Sequence, residues 1–258
     1  MGQQKHYQLS IENRNLVVAV KINDVLVHSD RDNRVPHYEM SINQWLFNDE
    51  NTIAVNLSVA PNMEELSETV ECSIAVEEIV VQGDSQKKTT LTTLAYNHAN
   101  EDMQFPILLN NTFTIDTSFP VWKWRSGLEF DADNLPYDMI IAFTEKIVHA
   151  LKAKDGTAVA ELLRTKNEEL ANAYYIPINE RLHDSTAFFE KLFAMDGWDI
   201  IPPDYGSMVM QLQAENKLLL VANSRGKPLI QTPVLDDDFR FGIPLYLANV
   251  NDTFVLCR

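Results

Sequence analysis

Residues 136–195 read PYDMIIAFTEKIVHALKAKDGTAVAELLRTKNEELANAYYIPINERLHDSTAFFEKLFAM and decide the fold, because they form the one long helical stretch of a chain that otherwise reads as short strands. Near its start, apolar side chains recur at Ile140, Phe143, Ile147 and Leu151. A spacing of about 3.6 residues is typical of an amphipathic α-helix. The first helix is therefore predicted to begin near Pro136 and to stop near Lys154.

A break then separates the first helix from the second. Asp155 and Thr157 are both suitable N-caps and flank Gly156, so either one could start the new helix. The second helix is predicted to bury the apolar residues between Val159 and Ala173. A brief extended piece over 174–178 and a third helix over roughly 180–195 follow. The stretch thus predicts three helices.

The rest of the chain predicts strands on both sides of the helices. About eight short strands precede them, among them strands near 88–96, 103–109 and 112–117, with a tight turn at Asn23-Asp24, and this spacing favours an antiparallel β-sandwich. A last strand of that half is predicted at Val121–Arg125. Strands return after the helices, which favours an α+β domain with helices on one face of an antiparallel sheet. We therefore predict two domains, a sandwich over 1–127 and an α+β domain over 136–258, joined by a linker over 128–135.

The chain is strongly acidic along its whole length. Its net charge is −16, with 18 acidic and 9 basic residues up to residue 130 and 19 and 12 after it. This balance argues against a nucleic-acid-binding protein, which needs a cationic surface for phosphates. It is compatible with a basic protein partner, or simply with solubility.

The sequence also bears on location. The first residues, MGQQKHYQLSIENR, contain no apolar segment of signal-peptide length, and no run of 18 apolar residues predicts a membrane span. Cys72 and Cys257 each lie in an apolar, strand-like run, which favours buried free thiols over a disulfide. We therefore predict a cytoplasmic protein, although a chain whose signal peptide had been removed would show the same pattern.

Two stretches resemble known families. The break ALKAKDGTAVAELL, at 150–163, and the extended piece at 174–178 make 136–258 resemble the nuclear-transport-factor-2-like cone fold, which includes the SnoaL-like cyclases. The resemblance implies three helices on a curved sheet, and a pocket inside the cone that could hold a His/Asp or paired-acid site. Residues 45–57, WLFNDENTIAVNL, resemble the galactose-binding-like sandwich of family 2 glycosidases, with Asp49 where that family usually has Gly. An immunoglobulin-like sandwich is the alternative for this half.

Candidate site residues come mainly from the cone resemblance. His149 could act there as a general acid or base, or be an ordinary helix histidine. Four aromatic residues could line an apolar pocket or belong to the core, namely Tyr137, Tyr174, Tyr175 and Trp198. His183-Asp184 is better interpreted as local helix capping. Asp236-Asp237-Asp238 could hold a cation, but its spacing matches no calcium loop, so we predict no metal site. We also predict no cofactor, because no phosphate loop or dinucleotide fingerprint is present.

Three functions are compatible with these observations. The first is a non-enzymatic interaction protein, for example a bacterial accessory or immunity-like factor that meets a basic protein through its acidic surface. The alternative is a small-molecule binder or a cyclase- or isomerase-like enzyme that uses a pocket in the C-terminal domain. A weaker third function is carbohydrate binding on Trp122 and Trp124. We expect no nucleic-acid or membrane partner, and an oligomer remains compatible with the sequence.

Overall fold

A computed structural model describes residues 4–30, 36–59, 70–82, 85–97, 104–235 and 239–258. The chain divides into two compact units, Met1–Phe119 and Pro120–Arg258. The boundary predicted from the sequence, at 128–135, lies a few residues further along the chain. Below, each unit is described by itself.

The N-terminal unit is an antiparallel, sandwich-like β region made of two four-stranded sheets. Its strands are β1 (Gln4–Arg14), β2 (Leu16–Ile22), β3 (Val25–Asp30), β4 (His37–Ser41), β5 (Asp49–Val59), β6 (Glu71–Gln82), β7 (Ser85–Asn97) and β8 (Ile107–Ile115). One sheet has the order β4-β1-β6-β7 and the other β3-β2-β5-β8. Alternate residues of β2 and β5 are buried, as expected for strands with one face on a core.

Two sequence features explain the local geometry of this unit. Asn23 and Asp24 both have positive φ, at 51° and 60°, which confirms the predicted tight turn between β2 and β3. Asp49, which occupies the position of the glycine usual in the galactose-binding-like pattern, has a φ of 71°. Asp tolerates this left-handed region better than most residues. The turn therefore keeps the backbone conformation that favours glycine without having a glycine.

Three strand predictions differ from the structure. The strands predicted near 103–109 and 112–117 form one strand, β8, because no turn interrupts them. The strand predicted near 88–96 extends over the longer range of β7. Val121–Arg125 is not a strand, since Lys123–Ser126 forms a 3-10 turn that buries Trp124. Alternating apolar residues can also be buried by a compact turn.

The C-terminal unit begins with four helices, where three were predicted. They are α1 (Tyr137–Lys152), α2 (Gly156–Leu162), α3 (Arg164–Ala173) and α4 (Ile178–Phe193). The break before α2 occurs as predicted, and the Asp155 side chain accepts a hydrogen bond from the Ala158 backbone N–H at 2.9 Å. The additional break lies at Leu163, whose backbone leaves the helical region while its side chain stays buried. The single predicted second helix is therefore two helices.

A second antiparallel sheet follows the helices, so this unit is α+β as predicted. Its strands are β9 (Met208–Gln213), β10 (Leu218–Asn223), β13 (Leu245–Val250) and β14 (Thr253–Leu256), in the order β14-β13-β10-β9, while β11 (Ile230–Gln231) and β12 (Gly242–Ile243) form a separate pair. Residues of α1 and α4 share one buried apolar cluster with Leu219, Val221, Leu245 and Leu247 of the sheet. The helices therefore pack against the sheet.

Two further predictions can be compared with the described residues. Cys72 and Cys257 are buried free thiols, as expected. None of the helices in the described ranges is long and apolar enough to cross a membrane. The acidic triplet 236–238 lies outside the described residues.

Candidate functional site

A cavity of about 410 Å³ in the C-terminal unit brings apolar, polar and cationic side chains together. It lies between α3, α4 and the segment 241–244. One part of its wall is apolar and includes Leu163, Phe188, Phe189, Phe241 and Ile243. The other part carries polar and charged side chains, namely Lys166, Asn167, Arg181, Asp184 and Ser185. A cavity with one apolar and one polar wall suits an amphipathic small molecule.

A single stripe of α4 supplies five of the twelve residues that line this cavity. Its members occur at helical spacing, at Arg181, Asp184, Ser185, Phe188 and Phe189. Positions i, i+3, i+4, i+7 and i+8 lie on one face of an α-helix. The same face therefore changes from charged to aromatic along its length, and it presents both kinds of side chain to the cavity.

The polar floor is fixed by a hydrogen bond between the two helices. Asn167 Nδ2 of α3 donates to Ser185 Oγ of α4 at 3.2 Å, and both residues are buried. A buried polar pair of this kind is satisfied only when the two helices keep their register. The Asn167–Ser185 hydrogen bond therefore fixes α3 against α4, and with them the positions of Lys166 and Arg181.

The two cations of the cavity are unusually placed for so acidic a chain. Burial, together with the nearby positive charges of Arg181 and Arg258, lowers the pKa of Lys166 to about 8. Arg181 Nε is buried and has no hydrogen-bond partner among the described residues. Within the same ranges neither cation forms an ion pair with a carboxylate, whereas Arg258 is paired with Glu169. Both side chains are half-buried, and cations withdrawn from solvent are ordinarily paired, so an anion in this cavity would find two cations to pair with.

In two other cavities the lining arginine is already paired with a carboxylate. A cavity of about 560 Å³ in the N-terminal unit is lined by Arg14 and Glu71, which form an ion pair at 3.1 Å. A cavity of about 550 Å³ beside α1 and α2 is lined by Arg164, whose guanidinium binds both carboxylate oxygens of Glu161. Neither arginine is therefore as available to a ligand as Arg181, which forms no ion pair among the described residues.

The residues predicted from the sequence lie elsewhere. His149 and Tyr137 are exposed on α1, Tyr175 is 37% exposed, and Tyr174 is half-buried. Trp198 is half-buried against Phe193 and Phe241, with ring centroids 5.0 and 6.3 Å apart. None of these five side chains is among the described residues that line the cavity. Trp198 comes nearest, because it packs on Phe241 of the cavity wall.

The structure also bears on two other hypotheses from the sequence, a sugar-binding platform at Trp122 and Trp124 and a capping role for Asp184. Trp122 and Trp124 are buried, and the Arg258 guanidinium lies 5.3 Å from the Trp122 ring centroid. Their faces therefore do not form an exposed sugar-binding platform. Asp184, assigned from the sequence to helix capping, is exposed and lines the cavity. Among the described residues no group of three or more His, Cys, Asp or Glu side chains is placed to hold a metal ion.

The sequence analysis missed Lys166 and Arg181, although one signal was present. In α4, Arg181 and Ser185 lie on the same helix face as Phe188 and Phe189. An ordinary amphipathic helix would have apolar residues at these two positions. Comparison with protein-family models, curated proteins and solved structures found no match to this chain.

Proposed function

We propose that the C-terminal unit binds a small organic anion with an apolar body in the cavity between α3 and α4. The observation that carries the proposal is the pair of cations, Lys166 and Arg181, that share this cavity without a carboxylate partner among the described residues. Arg181 would bind the carboxylate, and the aromatic wall would bind the apolar body.

The architecture of the unit supports this proposal. Helices packed on one face of an antiparallel sheet are what the cone-fold resemblance implies, and a cone-like curvature of that sheet is part of the proposal. The volume of about 410 Å³ also lies within the range usual for small-molecule sites. A monocarboxylate with one phenyl ring is a suitable first ligand.

The binding test uses 3-phenylpropionate and calorimetry with the full chain. We expect a dissociation constant of about 0.1–1 mM at pH 7, given the small size of the ligand. The uncharged 3-phenylpropionamide should bind at least about tenfold more weakly, because it loses the charge-assisted contact. Arg181→Met should weaken carboxylate binding by about 10–100-fold and Lys166→Met by about tenfold.

The matched control is Lys191→Met, which removes an exposed cation from α4, the helix that also contains Arg181. It should leave the affinity unchanged, because surface charges are screened. Equal binding of the acid and the amide, or equal loss in all three variants, would contradict the proposal. Circular dichroism and thermal unfolding establish that each variant is folded.

The affinity should also depend on pH. Anion binding favours the charged form of Lys166, whose pKa is about 8 in the free protein. Raising the pH above about 8 should therefore weaken binding in the native chain and have little effect in Lys166→Met. The charged groups around Lys166 are Arg181, Asp184 and the Glu169–Arg258 pair.

A second proposal is that the acidic surface binds a basic protein. It is supported by the net charge of −16 and by the excess of acidic residues in both halves of the chain. A pull-down at low and then moderate salt should capture a basic partner whose recovery falls as salt rises. Recovery that does not change with salt would contradict an electrostatic interaction.

A further inference from the structure

Lys166 can have a second role besides pairing with the carboxylate of a bound anion. A cation that only binds anions is best kept permanently charged, as a guanidinium is. Lys166 is half-buried and lines the same cavity as Arg181, and its partial burial and the positive charges of Arg181 and Arg258 disfavour its charged form. Arg181 can hold an anion in the same cavity without help, so the amine next to it is available for chemistry.

We propose that Lys166 is a nucleophilic amine that forms a Schiff base with 2-oxo acids bound in the cavity between α3 and α4. The inference rests on the proposed binding of organic anions at this site. In a 2-oxo acid the carbonyl carbon is bonded directly to the carboxylate carbon. A carboxylate held by Arg181 therefore brings the reactive carbon close to the cavity wall that contains Lys166.

The step is balanced without any added reagent. The neutral amine of Lys166 attacks the carbonyl carbon, a C–N bond forms, and the carbonyl π electrons move to oxygen. The nitrogen gives up its two protons, the oxygen takes up two, and the C–O bond breaks, which gives the imine and one water per ligand. Asp184 and Ser185, both in the lining, are the groups placed to exchange these protons with solvent.

The state of Lys166 makes this step accessible near neutral pH. With a pKa of about 8, about one amine in ten is neutral at pH 7. For an ordinary lysine this fraction is smaller by roughly two orders of magnitude. A buried, desolvated lysine is also a usual way to obtain a nucleophilic amine in a protein.

The test is reductive trapping of the full chain with phenylpyruvate and cyanoborohydride, followed by intact-mass measurement and peptide mapping. The imine is reduced to a stable secondary amine, so the mass should rise by that of one ligand less one oxygen, located at Lys166. Lys166→Met and Lys166→Arg should both lose this adduct, and Lys191→Met should keep it. Trapping by the native chain should rise with pH and reach half its maximum near pH 8.

Binding of 3-phenylpropionate, measured in parallel, separates the two proposals. If this acid binds and phenylpyruvate is not trapped at Lys166, the Schiff-base inference is overturned and the binding function stands. If neither ligand binds, both are overturned. Adducts spread over several lysines, with half-maximal trapping above pH 10, would also contradict a special role for Lys166, because that is how exposed amines behave.

Discussion

Replacing Asn51 by Ala is expected to destabilise the N-terminal unit by about 3–5 kcal/mol. Asn51 is fully buried, and its side chain makes four hydrogen bonds. Its Oδ1 accepts from the Phe47 backbone N–H and from Asn23 Nδ2, both at 2.7 Å. Its Nδ2 donates to the carbonyls of Phe47 and Asp49 at 3.0 and 3.2 Å. Removing the amide leaves two donors and two acceptors of the turn without this partner.

The cost is large because Asn51 and its partner Asn23 are both buried and belong to one network. Asn23 is itself held by the Trp45 carbonyl at 2.8 Å and by the Thr52 backbone N–H at 2.9 Å, so it joins the turn before β3 to the turn before β5. Each buried group left unsatisfied costs about 1–3 kcal/mol. Because Asn23 and Asn51 belong to one hydrogen-bond network, destabilising the turn before β5 also destabilises the turn before β3.

The matched control is Asn56→Ala, five residues along the same strand, where the side chain is exposed. It should change the unfolding free energy by less than about 0.5 kcal/mol. Hydrogen exchange of the full chain, read on peptides from β2 and β5, measures the N-terminal unit separately from the C-terminal one. Similar protection in both variants would show that the network does not stabilise the unit.

This network explains why the stretch 45–57 resembles a sandwich pattern. Within it Asn51 faces inward and satisfies the turn, and Asp49 has a positive φ, a conformation that favours glycine. Both requirements are local, so the sequence could indicate them. The sequence could not show that Asn23 lies across from Asn51, because that contact joins residues 28 positions apart.

The helical unit shows a similar division between local and long-range information. The periodicity of α1 and α4 and the cap at Asp155 depend on neighbours within a few residues, and these predictions were confirmed. His149 lies next to Val148 and two residues from Leu151, yet these residues take the buried positions and leave it exposed. The cone resemblance drew attention to His149, whereas the structure places cations elsewhere in the unit.

The cavity could not be predicted, because its chemistry arises from packing. Lys166 follows Arg164 in a polar segment that reads as a solvent-exposed face. Its low pKa comes from burial and from Arg181 and Arg258, which are distant in sequence. Local pattern predicts which residues form a helix, but not which polar residues two short helices bring together.

The second large effect is expected at the buried ion pair of the C-terminal unit. Arg258 Nη1 donates to Glu169 Oε2, and both side chains are at most 5% exposed. Glu169 Oε1 also accepts from the Lys123 backbone N–H at 2.5 Å, and Arg258 lies over Trp122. The pair thus ties α3 to the segment that follows Pro120 and to the chain after β14.

Arg258→Met should destabilise this unit by about 3–5 kcal/mol, because it leaves the Glu169 carboxylate buried without its main counter-charge. Glu169→Gln should also destabilise the unit, by about 1–3 kcal/mol, since one of the two donors keeps an acceptor oxygen while the other meets the amide NH2 and Arg258 loses its counter-charge. The double variant should cost clearly less than the sum of the two single changes, because neither charge then remains buried alone. Chemical denaturation of the full chain, with hydrogen exchange on α3 peptides, measures the cycle.

The double-mutant cycle of Glu169 and Arg258 also shows whether the two charges are energetically coupled or whether the side chains contribute only packing. If the single changes add without coupling, the ion pair contributes nothing beyond packing, and the interpretation of the pair as a charge-coupled tie is wrong. If they couple, Arg258 is held by Glu169, and its charge stays fixed near Lys166. Arg258→Met should then raise the pH at which phenylpyruvate trapping is half-maximal in those molecules that remain folded. A neighbouring positive charge that lowers the pKa of Lys166 has been removed, so a larger share of the amine stays protonated near neutral pH.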